Sequence, residues 1–351
     1  MKNAKKAVLY PFNKITRGLI RFKDLANIDI VKVIDFTFNI GEDAGIQVDG
    51  NHSGIKIVDS IEKGLEDVDV LVLNDPGTAM DFFMDFYKSH KLDEKWRELV
   101  RAAHRKGIEI ISTNVMDDEI INAWLAENNI RIKTYAKTRE EILNFINNSE
   151  QIHAENNAKL VTIFATRACY GKFTAQMNLL RELLKQGKKA KAVITEPTHF
   201  LFNQADGDIL ALTNRAPLEI PEYLLSLKKN IESDGYDYIL IASQSTLLSR
   251  DKIHVIWNTS LMKHFRTNYF ILVVGYDDDE KIKDCMDILR IYGDCDKPFA
   301  LLLPDKIEVK YCEYESIPEF SIEKRKKELK DKFKVDVVET VKDINKICSL
   351  L

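Results

Sequence analysis

The chain alternates between short apolar runs and longer amphipathic segments. The runs at 7–10, 68–73 and 108–113 are rich in branched apolar residues. Nearly continuous apolar runs of this kind are typical of strands that are buried on both faces of a parallel sheet. The segment 92–106 instead places its apolar residues at helical spacing, and Gly107 marks its end. Repeated strand–helix units of this length predict a parallel sheet with helices on both faces.

The same alternation returns in the second half of the chain. Strand-like runs occur there at 160–164, 189–195, 236–242, 269–275 and 299–303. Between the two halves, residues 136–158 are polar. Ile142, Leu143 and Ile146 indicate a short helix, and the Asn- and Glu-rich residues after it are typical of an interdomain linker. We therefore expect one α/β domain at residues 1–135, a linker at 136–158, and a second α/β domain at 159–351.

The second domain opens with a candidate phosphate-binding loop. An apolar run at 160–164 is followed by a short loop, and Gly171-Lys172 then leads into a helical pattern. Strand, loop, Gly-Lys and helix is the layout of a P-loop, in which N–H groups at the helix start attract phosphate and the Lys adds positive charge. The match to G-x-x-x-x-G-K-[ST] is partial, because Thr166 stands at the first Gly and Phe173 follows the Lys. An ordinary strand–helix turn is the alternative.

Polar residues also follow the next two strands of this domain. The segment 195–199 (TEPTH) follows the second strand, and 242–246 (ASQST) lies at the end of the third. Because the carboxyl ends of parallel strands meet at one edge of a sheet, we expect these segments to converge with the loop at 166–174 on one pocket. In P-loop proteins a strand-end carboxylate usually completes a Mg²⁺ site, but Ala242 stands at that position. Glu196 and Asp206 are substitutes in principle.

In the first domain, one strand-end loop stands out. Residues 35–45 (DFTFNIGEDAG) combine glycines with carboxylates, and Asp35 and Asp43 suit a polar ligand. A solvated connecting loop is the alternative.

Composition narrows the class of protein. The 351 residues include 51 Lys and Arg against 55 Asp and Glu, a formal net charge of −4, so no nucleic-acid partner is indicated. The five cysteines are scattered without C-x-x-C spacing, which argues against a disulfide framework or a zinc site and for a cytoplasmic protein. No apolar run approaches the ~20 residues of a membrane span. The first domain has no G-x-G-x-x-G, so dinucleotide binding is not predicted.

Four motifs resemble those of one family. Residues 33–35 and 41–45 (VID, GEDAG) are similar to V-I-D followed by G-K-D-A-G; residues 165–174 (ATRACYGKFT) are similar to G-T-D-C-x-V-G-K-x-T; 195–199 are similar to T-G-Q-T-G, and 242–246 to E-G-Q-G-S. On these motifs, and over nearly its full length, the chain resembles the DgcN-like family of two-domain P-loop proteins. Characterised members of that family are D-glutamate N-acetyltransferases that use acetyl-CoA. The resemblance implies two doubly wound parallel-sheet domains of the α/β class, a Rossmann-like N-terminal domain and a P-loop NTPase-like C-terminal domain, and a homo-oligomer.

The resemblance also implies a site. Cofactor phosphates are expected to contact a set of residues in the loops after the first two strands of the second domain: Thr166, Arg167, Gly171, Lys172, Thr174, Thr195 and Thr198. A small amino acid substrate is expected to contact Asp35, Asp43 and Glu196. Candidate catalytic residues are Gln244 and His199, the latter as the base that deprotonates the amine, with a structural or solvent-exposed histidine as the alternative.

The chain departs from the family pattern at several of these positions. Five family glycines are replaced, the family Asp becomes Arg167, and the family Glu becomes Ala242. Arg167 either binds a further anionic group or marks a site that has changed. Cys169 lies within the loop, and we expect it to pack beneath the loop as a small apolar residue rather than to form an acyl intermediate.

Three functions remain open on this basis. The first is acetyl-CoA-dependent N-acetylation of a D-glutamate-like amino acid. The second is ATP- and Mg²⁺-dependent kinase or ligase chemistry, against which the absent carboxylate at Ala242 weighs. The third is a non-catalytic paralogue that binds a ligand or an active subunit, which the replaced glycines favour.

Overall fold

The computed structural model describes residues 4–75, 84–153, 158–207, 215–310 and 313–351. The chain forms two compact units. Unit 1 comprises Met1–Ala136 and Phe200–Asn203, and unit 2 comprises Lys137–His199 and Gln204–Leu351.

The segment 136–158, predicted as a linker, contributes a helix to unit 2. This helix spans Arg139–Ser149, and Thr138 caps it by accepting a hydrogen bond from the Glu141 N–H. Ile142 is fully buried, while most of the other side chains of the helix are at least partly exposed. A helix with so narrow an apolar face leaves a weak sequence pattern, because few of its positions have to be apolar. Residues 154–157 lie outside the described part of the chain.

Unit 1 is built on a parallel sheet of six strands. The strands are β1 (Lys6–Tyr10), β2 (Asp29–Ile34), β3 (Lys56–Val58), β4 (Val70–Leu73), β5 (Glu109–Ser112) and β6 (Lys133–Thr134). The helices are α1 (Lys14–Arg21), α2 (Ala44–Asp49), α3 (Ile61–Gly64), α4 (Met84–Ser89), α5 (Leu92–Arg105) and α6 (Glu119–Glu127). The strand order is β3-β2-β1-β4-β5-β6, so the crossovers change direction between β1 and β4, as in Rossmann-like domains.

The apolar runs of unit 1 form its core. All four residues of β4 are buried, and the strand pairs with β1 from Ala7–Val70 to Tyr10–Leu73. On α5, Trp96 and Leu99 face this core and are fully buried. Gly107 has φ +69°, a left-handed conformation that lets the chain leave the helix and enter β5.

Unit 2 contains a second parallel sheet and a separate hairpin. Its strands are β7 (Lys159–Ala165), β8 (Ala190–Val193), β9 (Ala205–Asp206), β10 (Tyr238–Ala242), β11 (Tyr269–Val273), β12 (Ala300–Leu303), β13 (Lys306–Lys310), β14 (Glu313–Ser316) and β15 (Asp336–Glu339). Its helices are α7 (Arg139–Ser149), α8 (Lys172–Lys185), α9 (Ile220–Ser233), α10 (Lys252–Lys263), α11 (Asp279–Gly293), α12 (Glu319–Phe333) and α13 (Ile344–Cys348). Strands β13 and β14 pair antiparallel, apart from the main sheet.

The main sheet of unit 2 has the order β15-β12-β11-β7-β10-β8-β9, and all its pairs are parallel. From β7 the chain continues to β8 on one side, and from β11 it continues to β12 on the other. The crossovers therefore change direction between the neighbouring strands β7 and β11, and α/β sheets bind ligands at such a point. The predicted fold class, two doubly wound parallel-sheet domains, is confirmed.

The helix α8 is fixed against this sheet by both apolar and polar contacts. Leu179 and Leu183 are fully buried. Gln176 is also fully buried, and its Nε2 donates to the carbonyl oxygens of Val193 at 2.8 Å and Leu240 at 2.9 Å. These bonds hold the first half of α8 against the carboxyl end of β8 and the middle of β10.

In the part of the chain that the structure describes, none of the helices combines the length and the apolar composition that crossing a bilayer requires.

Candidate functional site

The candidate site lies at the carboxyl edge of the unit 2 sheet, where three strand-end loops are joined. The N–H of Leu247, after β10, donates to the Ala165 carbonyl at 3.0 Å. The Thr246 hydroxyl donates to the Thr166 carbonyl at 3.1 Å. After β11, the Gly275 N–H donates to the Thr166 hydroxyl at 3.2 Å. The loops after β7 and β10 therefore meet as predicted, and the loop after β11 joins them. The convergence of the loop after β8 with these loops stays a prediction.

The loop between β7 and α8 has a backbone shape that suits an anion. Cys169 and Gly171 have φ angles of +60° and +92°, and α8 begins directly afterwards at Lys172. A left-handed residue beside right-handed ones turns successive N–H groups to one side, and a helix start adds partial positive charge. Thr174 lies in the first turn of α8 and is half-buried. Cys169 is exposed, so the prediction that it packs beneath the loop is wrong.

Lys172 is only 9% exposed, and its ammonium group donates to the Ser245 carbonyl. Ser245 has φ +55°, a conformation that glycine adopts without strain. The loop after β10 thus presents a backbone oxygen to the lysine of the loop after β7.

Arg167, which is partly exposed, forms an ion pair with the buried carboxylate of Asp278, a residue that no sequence motif assigned to the site. Its Nε and Nη2 donate to Asp278 Oδ1 at 2.8 Å and 2.6 Å, and the Thr166 hydroxyl donates to Oδ2 at 2.6 Å. Asp278 is 1% exposed and Arg167 is 39% exposed. Burial acts to raise the pKa of Asp278, but the hydrogen bonds from Arg167 and Thr166 outweigh it and hold the pKa below its ordinary value.

Gly275 is the second residue of the site that no sequence motif indicated. A Cβ atom on Gly275 would lie 2.4 Å from Asp278 Oδ2 and 3.2 Å from Arg167 Nε. Only glycine leaves room for the carboxylate to reach its partners. The available signal was the acidic run 277–280 at the end of a strand, but sequence alone does not place that strand beside β7.

The loop after β8 holds four of the predicted residues. Thr195 and Glu196 are half-buried, whereas Thr198 is 1% exposed and His199 is 9% exposed. Burial, with a smaller contribution from the charge of Lys137, lowers the pKa of His199 to about 4. The imidazole is therefore neutral at pH 7.

The segment after β10 carries Gln244, the remaining predicted residue of unit 2. Ala242 is buried and ends the strand, and Ser243 is 1% exposed and donates its N–H to the Ile163 carbonyl at 2.8 Å. Gln244 follows and is half-buried in the loop that also contains Ser245.

In unit 1, Asp35 holds together the loops after β1 and β2. Its Oδ2 accepts from the Phe12 N–H at 2.8 Å, and its Oδ1 accepts from the N–H groups of Thr37 and Phe38 at 2.8 Å each. The residue is 2% exposed. This arrangement gives the carboxylate a structural task, and substrate binding by Asp35 stays a prediction.

Asp43 has a similar task at the start of α2. Its Oδ1 accepts from the N–H groups of Gly45 at 2.8 Å and Ser53 at 2.9 Å, and its Oδ2 accepts from Gly54 at 2.8 Å. Burial acts to raise the pKa of Asp43, and these hydrogen bonds lower it far more strongly. A Cβ on Gly45 would lie 2.5 Å from the Asn51 carbonyl oxygen, so the G-E-D-A-G segment is a tightly closed loop.

A divalent cation finds few ligands at the unit 2 site. Ala242 offers none at the end of β10, and the carboxylate of Asp278 is occupied by Arg167, Thr166 and Gly275. Among the described residues, no group of three or more His, Cys, Asp and Glu side chains has an arrangement that could hold a metal ion. At Ala242 the unit 2 site therefore lacks the strand-end carboxylate that commonly completes the Mg²⁺ site of P-loop NTPases.

No protein-family model matches the sequence, and neither does any curated protein. Among solved structures, a DUF1611 family protein from Anabaena variabilis is similar with a TM-score of 0.69 and 13% identity, over 98% of this chain and 97% of that chain. The MinD cell division protein of Aquifex aeolicus has a TM-score of 0.34 and 18% identity, over 54% of this chain and 86% of that chain. Chloroplast FtsY from Physcomitrella patens has a TM-score of 0.33 and 11% identity, over 56% of this chain and 64% of that chain. The first of these likenesses shows a shared fold over nearly the whole chain.

Proposed function

We propose that unit 2 binds the phosphate groups of a nucleotide-containing cofactor at the loop between β7 and α8. The observation that carries the proposal is the left-handed Gly171 directly before Lys172, at the carboxyl end of a central strand next to the point where the crossovers change direction. Backbone N–H groups at a helix start and a lysine at the same place form a favourable environment for phosphate.

The side chains favour a cofactor that needs no protein-bound metal. Ala242 and the occupied carboxylate of Asp278 leave Mg²⁺ without the strand-end ligand that ATP chemistry commonly uses. The cofactor that we favour is therefore acetyl-CoA, as the resemblance to DgcN-like proteins implies, and the reaction is N-acetylation of a D-glutamate-like amino acid. Acetyl-CoA supplies the acetyl group as a reactive thioester.

His199 has the protonation state of a base but not the strength of a good one. Its pKa of about 4 keeps the imidazole ring neutral at pH 7, so the ring has a lone pair available. A base with so low a pKa has little driving force to take a proton from an ammonium group. A structural role for His199 is the better supported alternative, and Gln244 remains a candidate for contact with the substrate.

Ligand binding to purified protein tests the proposal. Acetyl-CoA, ATP with Mg²⁺ and ATP with EDTA are titrated by calorimetry, and thermal unfolding is followed with each at about 100 times its dissociation constant, where one site stabilises by roughly 2.7 kcal/mol. We expect acetyl-CoA to bind, and Lys172→Ala to weaken it by about 10- to 100-fold, since a hydrogen bond to a charged group contributes roughly 1.5–3 kcal/mol.

Lys185→Ala is the matched control. Lys185 lies at the other end of the same helix, and its Nζ is 2.6 Å from Glu182 on the surface. Its loss should change the dissociation constant by less than about twofold. Binding of ATP only with Mg²⁺ would favour kinase or ligase chemistry, and a wild-type protein that binds neither cofactor would refute phosphate binding at this loop.

A further inference from the structure

Asp278 stands where a helix-capping residue is expected. It directly precedes α11, and an Asp at that position usually accepts hydrogen bonds from N–H groups of the first helical turn. In this structure its side chain makes no capping hydrogen bond. The carboxylate turns instead to the loop after β7, which begins 112 positions earlier in the chain at Thr166. A local rule that is broken in favour of a distant contact commonly marks a functional constraint.

The contacts of Asp278 fall on the first two residues of the candidate phosphate-binding loop. Thr166 donates its hydroxyl hydrogen at 2.6 Å, and Arg167 donates from two nitrogens, which fixes the plane of the guanidinium group. Lys281, one turn into α11, lies 3.6 Å from the same carboxylate. At 1% exposure the carboxylate has little contact with water, so these donors determine its position.

The backbone around the pair is shaped to admit it. The Gly275 N–H donates to Asp278 Oδ2 at 3.2 Å, and a Cβ on Gly275 would come within 2.4 Å of that oxygen. Glycine at position 275 therefore leaves room for the Asp278 carboxylate within the loop after β11, and a Cβ there would also lie 3.2 Å from Arg167 Nε in the loop after β7.

We propose that Asp278 is the positioning residue of the phosphate-binding loop: it fixes Thr166 and Arg167, and through them the backbone that receives the phosphate. This inference rests on the proposed function. The start of the loop is tied to β11 through Asp278, and its end is tied to α8 through Gly171. A loop that is fixed at both ends presents its N–H groups in one arrangement, which a binding site requires to within a fraction of an ångström.

The experiment compares ligand affinity with ligand-free stability in four proteins: wild type, Asp278→Asn, Arg167→Lys and the double variant. Acetyl-CoA and ATP are the probes. We expect Asp278→Asn to raise the dissociation constant of the probe that binds wild type by at least about tenfold, and Arg167→Lys, which lacks the fork that makes the bidentate contact, to do the same. The double variant should be little worse than either single one, because both changes break the same contact.

Asp279→Asn is the matched control. It removes the same charge from the next residue, whose carboxylate pairs with Arg325 and Lys332 on α12 rather than with the loop. We expect its dissociation constant to stay within about twofold of the wild-type value.

The outcomes separate the two ideas. Wild type that binds neither probe refutes the proposed function and the inference with it. If wild type binds a probe, and the folded Asp278→Asn and Arg167→Lys proteins bind it equally well, the positioning role alone is overturned. This holds even if both variants unfold at lower temperature than wild type. Should Asp278→Asn fail to fold, Gly275→Ala decides the question, because its Cβ would meet Asp278 Oδ2 at 2.4 Å and Gly275 is not among the residues expected to contact the cofactor.

Discussion

Replacement of Arg167 by Met tests how much the ion pair with Asp278 stabilises the fold of unit 2. The substitution keeps most of the side-chain volume and removes the positive charge. It leaves a carboxylate that is 1% exposed with the Thr166 hydroxyl, the Gly275 N–H and a lysine 3.6 Å away. A buried charge that loses its main partner is strongly destabilising, because it can no longer be compensated and water does not reach it.

The expected magnitude follows from the burial of the two partners. Breaking a fully buried pair costs about 3–5 kcal/mol. Arg167 is 39% exposed, so water already screens part of this interaction, and we place the loss at about 2–3 kcal/mol. For a domain of this size the unfolding temperature of unit 2 should fall by about 4–12 °C.

The loss should also depend on pH in a defined direction. In wild type the pKa of Asp278 lies below its ordinary value, so the carboxylate stabilises the fold above the pKa of the unfolded chain, and this contribution is lost as pH falls through the folded pKa. In Arg167→Met, we expect burial to dominate and to raise the pKa of Asp278. Protonation then removes the cost of the buried, unpaired carboxylate at a higher pH than the pH at which Asp278 is protonated in wild type. The stability difference is therefore largest near pH 7 and narrows towards pH 4.

Differential scanning calorimetry at pH 7, 5.5 and 4 measures this difference. Arg290→Met is the control, because Arg290 pairs with Asp287 at 2.9 Å with both side chains about half exposed, and its loss should cost less than about 0.5 kcal/mol. If Arg167→Met unfolds no earlier than Arg290→Met at pH 7, or if its deficit is the same at pH 4, the ion pair does not have the energetic role assigned to it.

Two further predictions concern the loops. Gly45→Ala should destabilise unit 1 by about 1–3 kcal/mol in urea unfolding, because its Cβ would meet the Asn51 carbonyl oxygen at 2.5 Å. Gly54 has open space around it but φ +77°, and Gly54→Ala should lower the free energy of unfolding by less. Equal losses in the two variants would contradict the packing argument. His199 has a folded pKa of about 4 against about 6.5 unfolded, so stability should fall with a slope of up to about 1.4 kcal/mol per pH unit as pH drops from 6.5 to 4. His199→Gln should abolish that slope in urea titrations at pH 7 and 4.5, and a slope that survives would assign it to another group.

Much of the fold was predictable because apolar runs and helical spacing are local properties. The run that became β4 is buried at every position, and the amphipathic segment that became α5 ends at Gly107 as expected. The candidate phosphate loop was also visible, since Gly171-Lys172 between a strand and a helix needs no knowledge of distant residues. The helix at Arg139–Ser149 was only weakly indicated, because Ile142 is nearly alone on its buried face.

The partner of Arg167 was decided by the tertiary structure alone. Asp278 is 111 positions away, and the two meet only because the crossovers place β11 beside β7. From the sequence, Arg167 was expected either to bind a further anionic group or to mark a changed site, and Asp278 is one of four acidic residues at 277–280. Strand order is set by how the helices pack across the whole sheet, and no local pattern records it. The sequence thus determined which segments are strands and where a phosphate is expected, and the order of the strands decided which charges neutralise each other there.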